Sequence, residues 1–225
     1  EYFHSVKPGI SVEMKKFHKV FLESSFLPDF ERELGQLYIQ NVKSRIRLAA
    51  ESNIELQIRE SMLVQEYYRT AAAPQAEFHG ETLNFYGLLK KMQDPDRKIR
   101  KEAMEKWSAL YESISGKLDD IFGELVSIRL ELAENLGFPG YEEMIFLQNK
   151  RYTYTPEDVA AFREQILRHI VPVCKRLVEE QKARLGIETL HYYDEAIMFP
   201  EGNAVPMGTK DEMLANAGKM YRAAI

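Results

Sequence analysis

The side chains able to do chemistry are few and scattered along this chain. One His/carboxylate cluster stands out, His191-x-x-Asp194-Glu195. A zinc site needs three or four N, S or O donors converging on one point. Neighbouring residues on an extended segment point to opposite faces, so these three do not converge. The cluster reads as a surface group. The five histidines, at positions 4, 18, 79, 169 and 191, are nowhere followed by Glu. Glu142-Glu143 resembles a carboxylate pair, but adjacent residues on a helix point about 100° apart, which suits a solvated face. The single cysteine, Cys174, has no activating base nearby. His169 lies five residues earlier and off its face, so the expectation is a small buried apolar residue. No catalytic and no metal-binding residue is assigned to this chain.

Aromatic residues carry the next signal. Tyr152, Tyr154, Tyr192 and Tyr193 each combine an apolar body with a polar tip, which suits either a peptide grip or packing between helices. Arg151 could pair with a substrate carboxylate or form a structural ion pair. Trp107 falls on an apolar stripe and is expected in the core.

The elements that must position these residues read as nearly all helix. Ile10, Met14, Phe17 and Phe21 share one helical face. Phe30, Leu34, Leu37 and Tyr38 begin a second helix after Pro28. A third, with Ile54, Ile58 and Met62 on one side, ends at Ala73-Pro74. Residues 75–85 hold the one plausible hairpin, with Gly80 at its turn. The strongest pattern runs from Asp94 to Leu136. Ile99, Ala103, Trp107, Leu110, Ile114, Leu118, Ile121, Leu125, Ile128 and Leu132 recur every three or four residues. A helix of that span is roughly 60 Å long, with Asp94 as cap, Pro95 at its first turn and Gly137 at its end. Thr155-Pro156-Glu157-Asp158 is another start signal. It opens a helix that runs to Leu185-Gly186 and is expected to bend at Pro172. Residues 190–208 read as loop. The fold class is therefore all-α with at most one small hairpin. Residues 1–93 form a helical region and residues 94–225 a long-helix region, both parts of one continuous unit.

Composition narrows the function classes. Of 225 residues, 45% are hydrophobic and 29% charged, and the net charge is −5. That balance gives no basic footprint for nucleic acid. No apolar run approaches the roughly 20 residues that span a bilayer, and no signal peptide is visible. One cysteine fits a reducing compartment, so the expected location is cytoplasmic. The chain opens at Glu1 and closes at Ile225 in a segment that still reads as helix. The expectation is a portion of a longer protein with apolar helix faces left exposed.

Ordered features extend this reading. Leu136-Gly137-Phe138 precedes Tyr141. Arg151-x-Tyr-Thr-Pro-Glu-Asp-Val is followed by a helix with an internal Val171-Pro172 and by Leu185-Gly186. Tyr193-Asp194 then leads to Gly202-Asn203 and Pro206-x-Gly208. Upstream stand Asp96-Arg97-x-x-Arg100-x-x-Ala103 and Leu125-Val126-x-x-Arg129. This collinear set resembles the thimet-oligopeptidase-like zinc metallopeptidases, most closely their oligoendopeptidase F type. The resemblance implies a neurolysin-like helical channel fold and a parent enzyme that hydrolyses short peptides. It also implies a zinc ion held by a His-Glu-x-x-His motif and a downstream Glu. None of those ligands has a counterpart here. By the family's layout this chain is the non-catalytic N-terminal half, forming one channel wall beside a C-terminal catalytic half. It is expected to be inactive and metal-free alone, with Arg151, Tyr152, Tyr154, Tyr192, Tyr193 and Asp194 as channel candidates. The alternative is a helical interaction or scaffold module with no enzymatic parent.

Overall fold

The computed structural model describes residues 6–223. Glu1 and Ile225, the two ends read as cuts, lie outside them. The elements are α1 (Lys7–Leu22), α2 (Leu27–Leu34), α3 (Gln36–Leu48), α4 (Ile54–Ala72), β1 (Ala76–Phe78), β2 (Glu81–Leu83), α5 (Phe85–Lys91), α6 (Arg97–Asn135), α7 (Tyr141–Gln148), α8 (Pro156–Gln165), α9 (Val171–Leu185) and α10 (Lys210–Ala223). The fold is all-α, with β1 and β2 paired antiparallel, Ala76 opposite Leu83, as the one small sheet among the described residues. His79 and Gly80 make its turn, both at positive φ. Among the described residues no helix is long and apolar enough to cross a membrane.

The chain divides into two compact units, and both are discontinuous in sequence. The first contains residues 1–85 and 108–173, the second 86–107 and 174–225. The core of the first is built on the apolar stripe of α6. Ile121, Leu125, Ile128, Leu132 and Ala133 pack with Leu63 of α4, with Met144 of α7 and with Phe138 in the turn before α7. Ion pairs Arg59–Glu124, Glu60–Arg129 and Glu66–Lys117 run alongside. From Glu60–Arg129 to Glu66–Lys117 the numbers rise in α4 and fall in α6, so the two helices are antiparallel. Asn53, fully buried, closes the end of α6: its amide donates to Leu132 O at 3.0 Å, and its Oδ1 accepts from Asn135 at 2.9 Å. Gly137 follows at φ +69, the left-handed position that lets the chain turn out of the helix. On α4, Leu63 rather than Met62 is the buried residue, Met62 being 51% exposed.

The start of α6 falls two residues later than its sequence suggests. Asp94 Oδ1 accepts from the N–H of Asp96, and Asp96 Oδ1 from the N–H of Lys98. Asp94 therefore folds the Pro95 turn, and Asp96 caps the helix. The Thr155 signal is realised as read. The N–H of Asp158 donates to Thr155 Oγ1 at 3.3 Å, and that of Thr155 to Asp158 Oδ2 at 2.8 Å. Thr155→Ala is expected to cost about 1 kcal/mol, read as a small fall in urea midpoint with unchanged slope.

The helix passes Pro172 through a π-helical turn at Ile166–Ile170. The wider turn admits one extra residue, which accommodates the clash a proline ring makes with the turn before it. Beyond it, Cys174 is exposed, not buried as expected. It sits two turns before Gln181 on the same face, and only the later part of α9 is covered. Phe162, Leu167, Ile170 and Leu177 are each more than half exposed along α8 and α9.

Candidate functional site

The six candidate residues fall into two groups, one in each unit. In the first unit, Arg151, Tyr152 and Tyr154 follow α7, where Lys150 turns the chain at φ +57. Arg151 makes no ion pair among the described residues. Its guanidinium lies over the Phe146 ring, 4.9 Å from the centroid. Tyr154, 41% exposed, meets the same ring edge-on at 5.9 Å. Phe146 thus fixes a cation and a phenol on one exposed edge. Tyr152 is half-buried, and its hydroxyl donates to Asn41 Oδ1 at 3.1 Å, tying the segment to α3.

In the second unit the structure corrects the reading of Asp194. Its carboxylate is fully buried and cannot line a surface or a channel. Arg97 reaches it through Nε at 3.1 Å and Nη2 at 2.8 Å, and Arg100 through Nη2 at 2.8 Å. The backbone N–H of His191 donates to Oδ2 at 3.1 Å. Burial pushes the pKa up, but the hydrogen bonds from Arg97, Arg100 and His191 outweigh it and hold the carboxyl at about 2. Arg100, 3% exposed, spends its remaining donors on the carbonyls of Tyr193, Asp94 and Pro95. Each buried charge is therefore hydrogen-bonded as well as paired, the condition under which a buried ion pair is tolerated.

Gln181 secures the other side of the same loop. Its amide nitrogen donates to the carbonyls of Asp194 (3.3 Å), Glu195 (3.2 Å) and Ile197 (2.6 Å). Tyr192–Asp194 is consequently held as a short 3-10 turn. Tyr193 is half-buried, stacked on His191 at 5.1 Å with the Arg97 guanidinium 5.4 Å from its ring. Tyr192 projects outward, 76% exposed. His191, Asp194 and Glu195 form no surface cluster, because the middle member points inward. Among the described residues no three His, Cys, Asp or Glu side chains are grouped so as to hold a metal ion.

Arg97, Arg100 and Gln181 were not singled out by chemistry in the sequence. The available signal was Arg97-x-x-Arg100 on a helix that otherwise buries apolar residues. That spacing puts both guanidinium groups on one face, facing a common partner.

Three comparisons bear on identity. Residues 91–198 match the model of peptidase family M3. The matched stretch contains Arg97, Arg100, Gln181 and Asp194, the whole buried network. No curated protein matches the sequence. Among solved structures, a candidate oligoendopeptidase F from Bacillus anthracis str. Ames is 30% identical, with a TM-score of 0.92 over 99% of this chain and 41% of that one. A second candidate oligoendopeptidase F, solved at 3.1 Å, is 29% identical, with a TM-score of 0.93 over 99% of this chain and 39% of that one. PZ peptidase A, solved with an inhibitor, is 31% identical, with a TM-score of 0.93 over 99% and 40%. This chain thus spans about two-fifths of the length of the structures it matches. The resemblance read from the ordered motifs holds: the middle of the chain matches the family M3 model, and the fold is similar to that of the oligoendopeptidase F-type structures.

Proposed function

We propose that this chain is the non-catalytic part of a cytoplasmic zinc metalloendopeptidase that hydrolyses short peptides. It forms one wall of the substrate channel, beside a C-terminal catalytic half of the same protein. The observation that carries this reading is the agreement in fold with oligoendopeptidase F-type structures over 99% of the chain at 29–31% identity. Zinc in such an enzyme polarises the scissile carbonyl and activates a water. The described residues do not fit such an ion, since no three of their His, Cys, Asp and Glu side chains are grouped to hold one. No step of hydrolysis is assigned to them.

What the chain contributes is peptide binding. Arg151 and Tyr154 in the first unit, and Tyr192 and Tyr193 in the second, are the side chains offered to a peptide. Tyr152 braces the first group and Asp194 positions the second. Exposed tyrosines bind peptide groups with little loss of side-chain freedom, and Arg151 adds an anion partner.

The test is a quenched fluorescent peptide given to this chain alone and to the full-length protein. The full-length protein is expected to cleave it, to stop on chelation and to recover with zinc. The isolated chain is expected to leave it intact. Zinc-dependent cleavage by the isolated chain would overturn the division of labour.

A further inference from the structure

The first unit forms a half-open cavity of about 480 Å³ lined from α1, α3, α4, α6 and α7. That volume lies in the range of roughly 300–1,000 Å³ typical of small-molecule sites. Its walls are largely apolar, with Val12, Met14, Leu48, Leu132, Leu136 and Met144 among them. Its polar side is specific. His18 lines the cavity and is 8% exposed, yet its imidazole makes no hydrogen bond among the described residues. Burial, and after it the nearby Arg45, lower the His18 pKa, so the ring is neutral and presents one donor and one acceptor.

The charges around the cavity leave one cation uncompensated. Glu60 is committed to Arg129 at 2.8 Å. Asn53 is committed to Leu132 and Asn135. Lys15 donates to the carbonyl of Ala49, another lining residue, at 2.6 Å. Arg45 makes no ion pair among the described residues, and it stands exposed at this lining. A guanidinium recognises a carboxylate through two parallel hydrogen bonds. An apolar chain of modest length would cover the aliphatic wall.

We propose that this cavity binds a small amphipathic monocarboxylate, its carboxylate on Arg45 and His18 and its aliphatic chain against Leu132, Leu136 and Met144. None of its lining residues is among the peptide-binding candidates, and the proposal is independent of the peptidase reading.

Titration calorimetry with sodium octanoate and with octan-1-ol tests it. Octanoate is expected to bind at one saturable site, about tenfold or more tighter than the alcohol, because only the acid supplies a charge-assisted hydrogen bond. Arg45→Gln is expected to remove that preference. Arg45 is exposed and makes no ion pair among the described residues, so the variant should unfold at the same urea midpoint as the parent. His18→Leu should weaken octanoate and leave octanol unchanged or improved. Equal affinity for acid and alcohol, undiminished octanoate binding by Arg45→Gln, or no saturable binding would each overturn the proposal. None of these outcomes depends on peptide cleavage.

Discussion

Asp194→Ala is expected to destabilise the second unit by about 3–5 kcal/mol, because it leaves two guanidinium groups without their buried counter-ion. Arg100 is the more affected, at 3% exposure. Arg97, with 42% of its side chain exposed, can turn to water. Asp194→Asn should recover only part of the loss, since it keeps the shape and removes the charge. Acid titration gives an independent readout. The native carboxyl sits at about 2 against an ordinary 3.8, so the unfolded chain takes up this proton more readily. Its contribution to stability is complete above about pH 4 and is lost as pH falls through about 2. Urea midpoints measured across that window should fall for the parent and flatten for Asp194→Ala. A midpoint in the variant within experimental scatter of the parent would show that the network does not hold the loop.

Leu132→Ala is expected to cost about 2–5 kcal/mol, the range for truncating a buried leucine in a packed core. Leu132 is 3% exposed inside the main cluster, and its carbonyl is the acceptor for Asn53. Leu130, two residues earlier on the same helix, is 54% exposed. Leu130→Ala should stay within about 0.5 kcal/mol of the parent. Urea unfolding of the pair separates the buried face of α6 from its exposed one. Equal losses would mean that the stripe from Ile121 to Leu132 is not the core of the first unit.

Much of the fold was legible because its signals are local. The Thr155 box, the glycines after α6 and α9 and the His79-Gly80 turn depend on residues a few positions apart. The apolar stripe of α6 needed only helical periodicity. What stayed hidden depends on distant partners. Asp194 looked like a surface carboxylate because its partners are remote in sequence: Arg97 and Arg100 precede it by 97 and 94 positions. Cys174 looked buried by residue type, but burial on α9 is decided by how far the returning loop reaches. The π-turn before Pro172 was readable only as a bend, since the proline announces a conflict without saying how the backbone resolves it. Arg151 takes an aromatic face in place of an ion pair, a choice fixed by where α7 leaves Phe146.

The division of each unit into separated stretches has a consequence in time. A ribosome adds about 5–20 residues per second, so the 94 residues between Arg100 and Asp194 take roughly 5–20 s to appear. Throughout that interval the amino-terminal end of α6 carries Arg100, destined for an interior that does not yet exist, and Arg97, which lacks its counter-ion. The early stretch from Tyr86 to Trp107 has to wait, hydrated, for Gln181 and the Tyr192–Asp194 turn. Synthesis order therefore makes the Asp194 network a late event, and the nascent chain is most exposed to misassociation just before that aspartate is made.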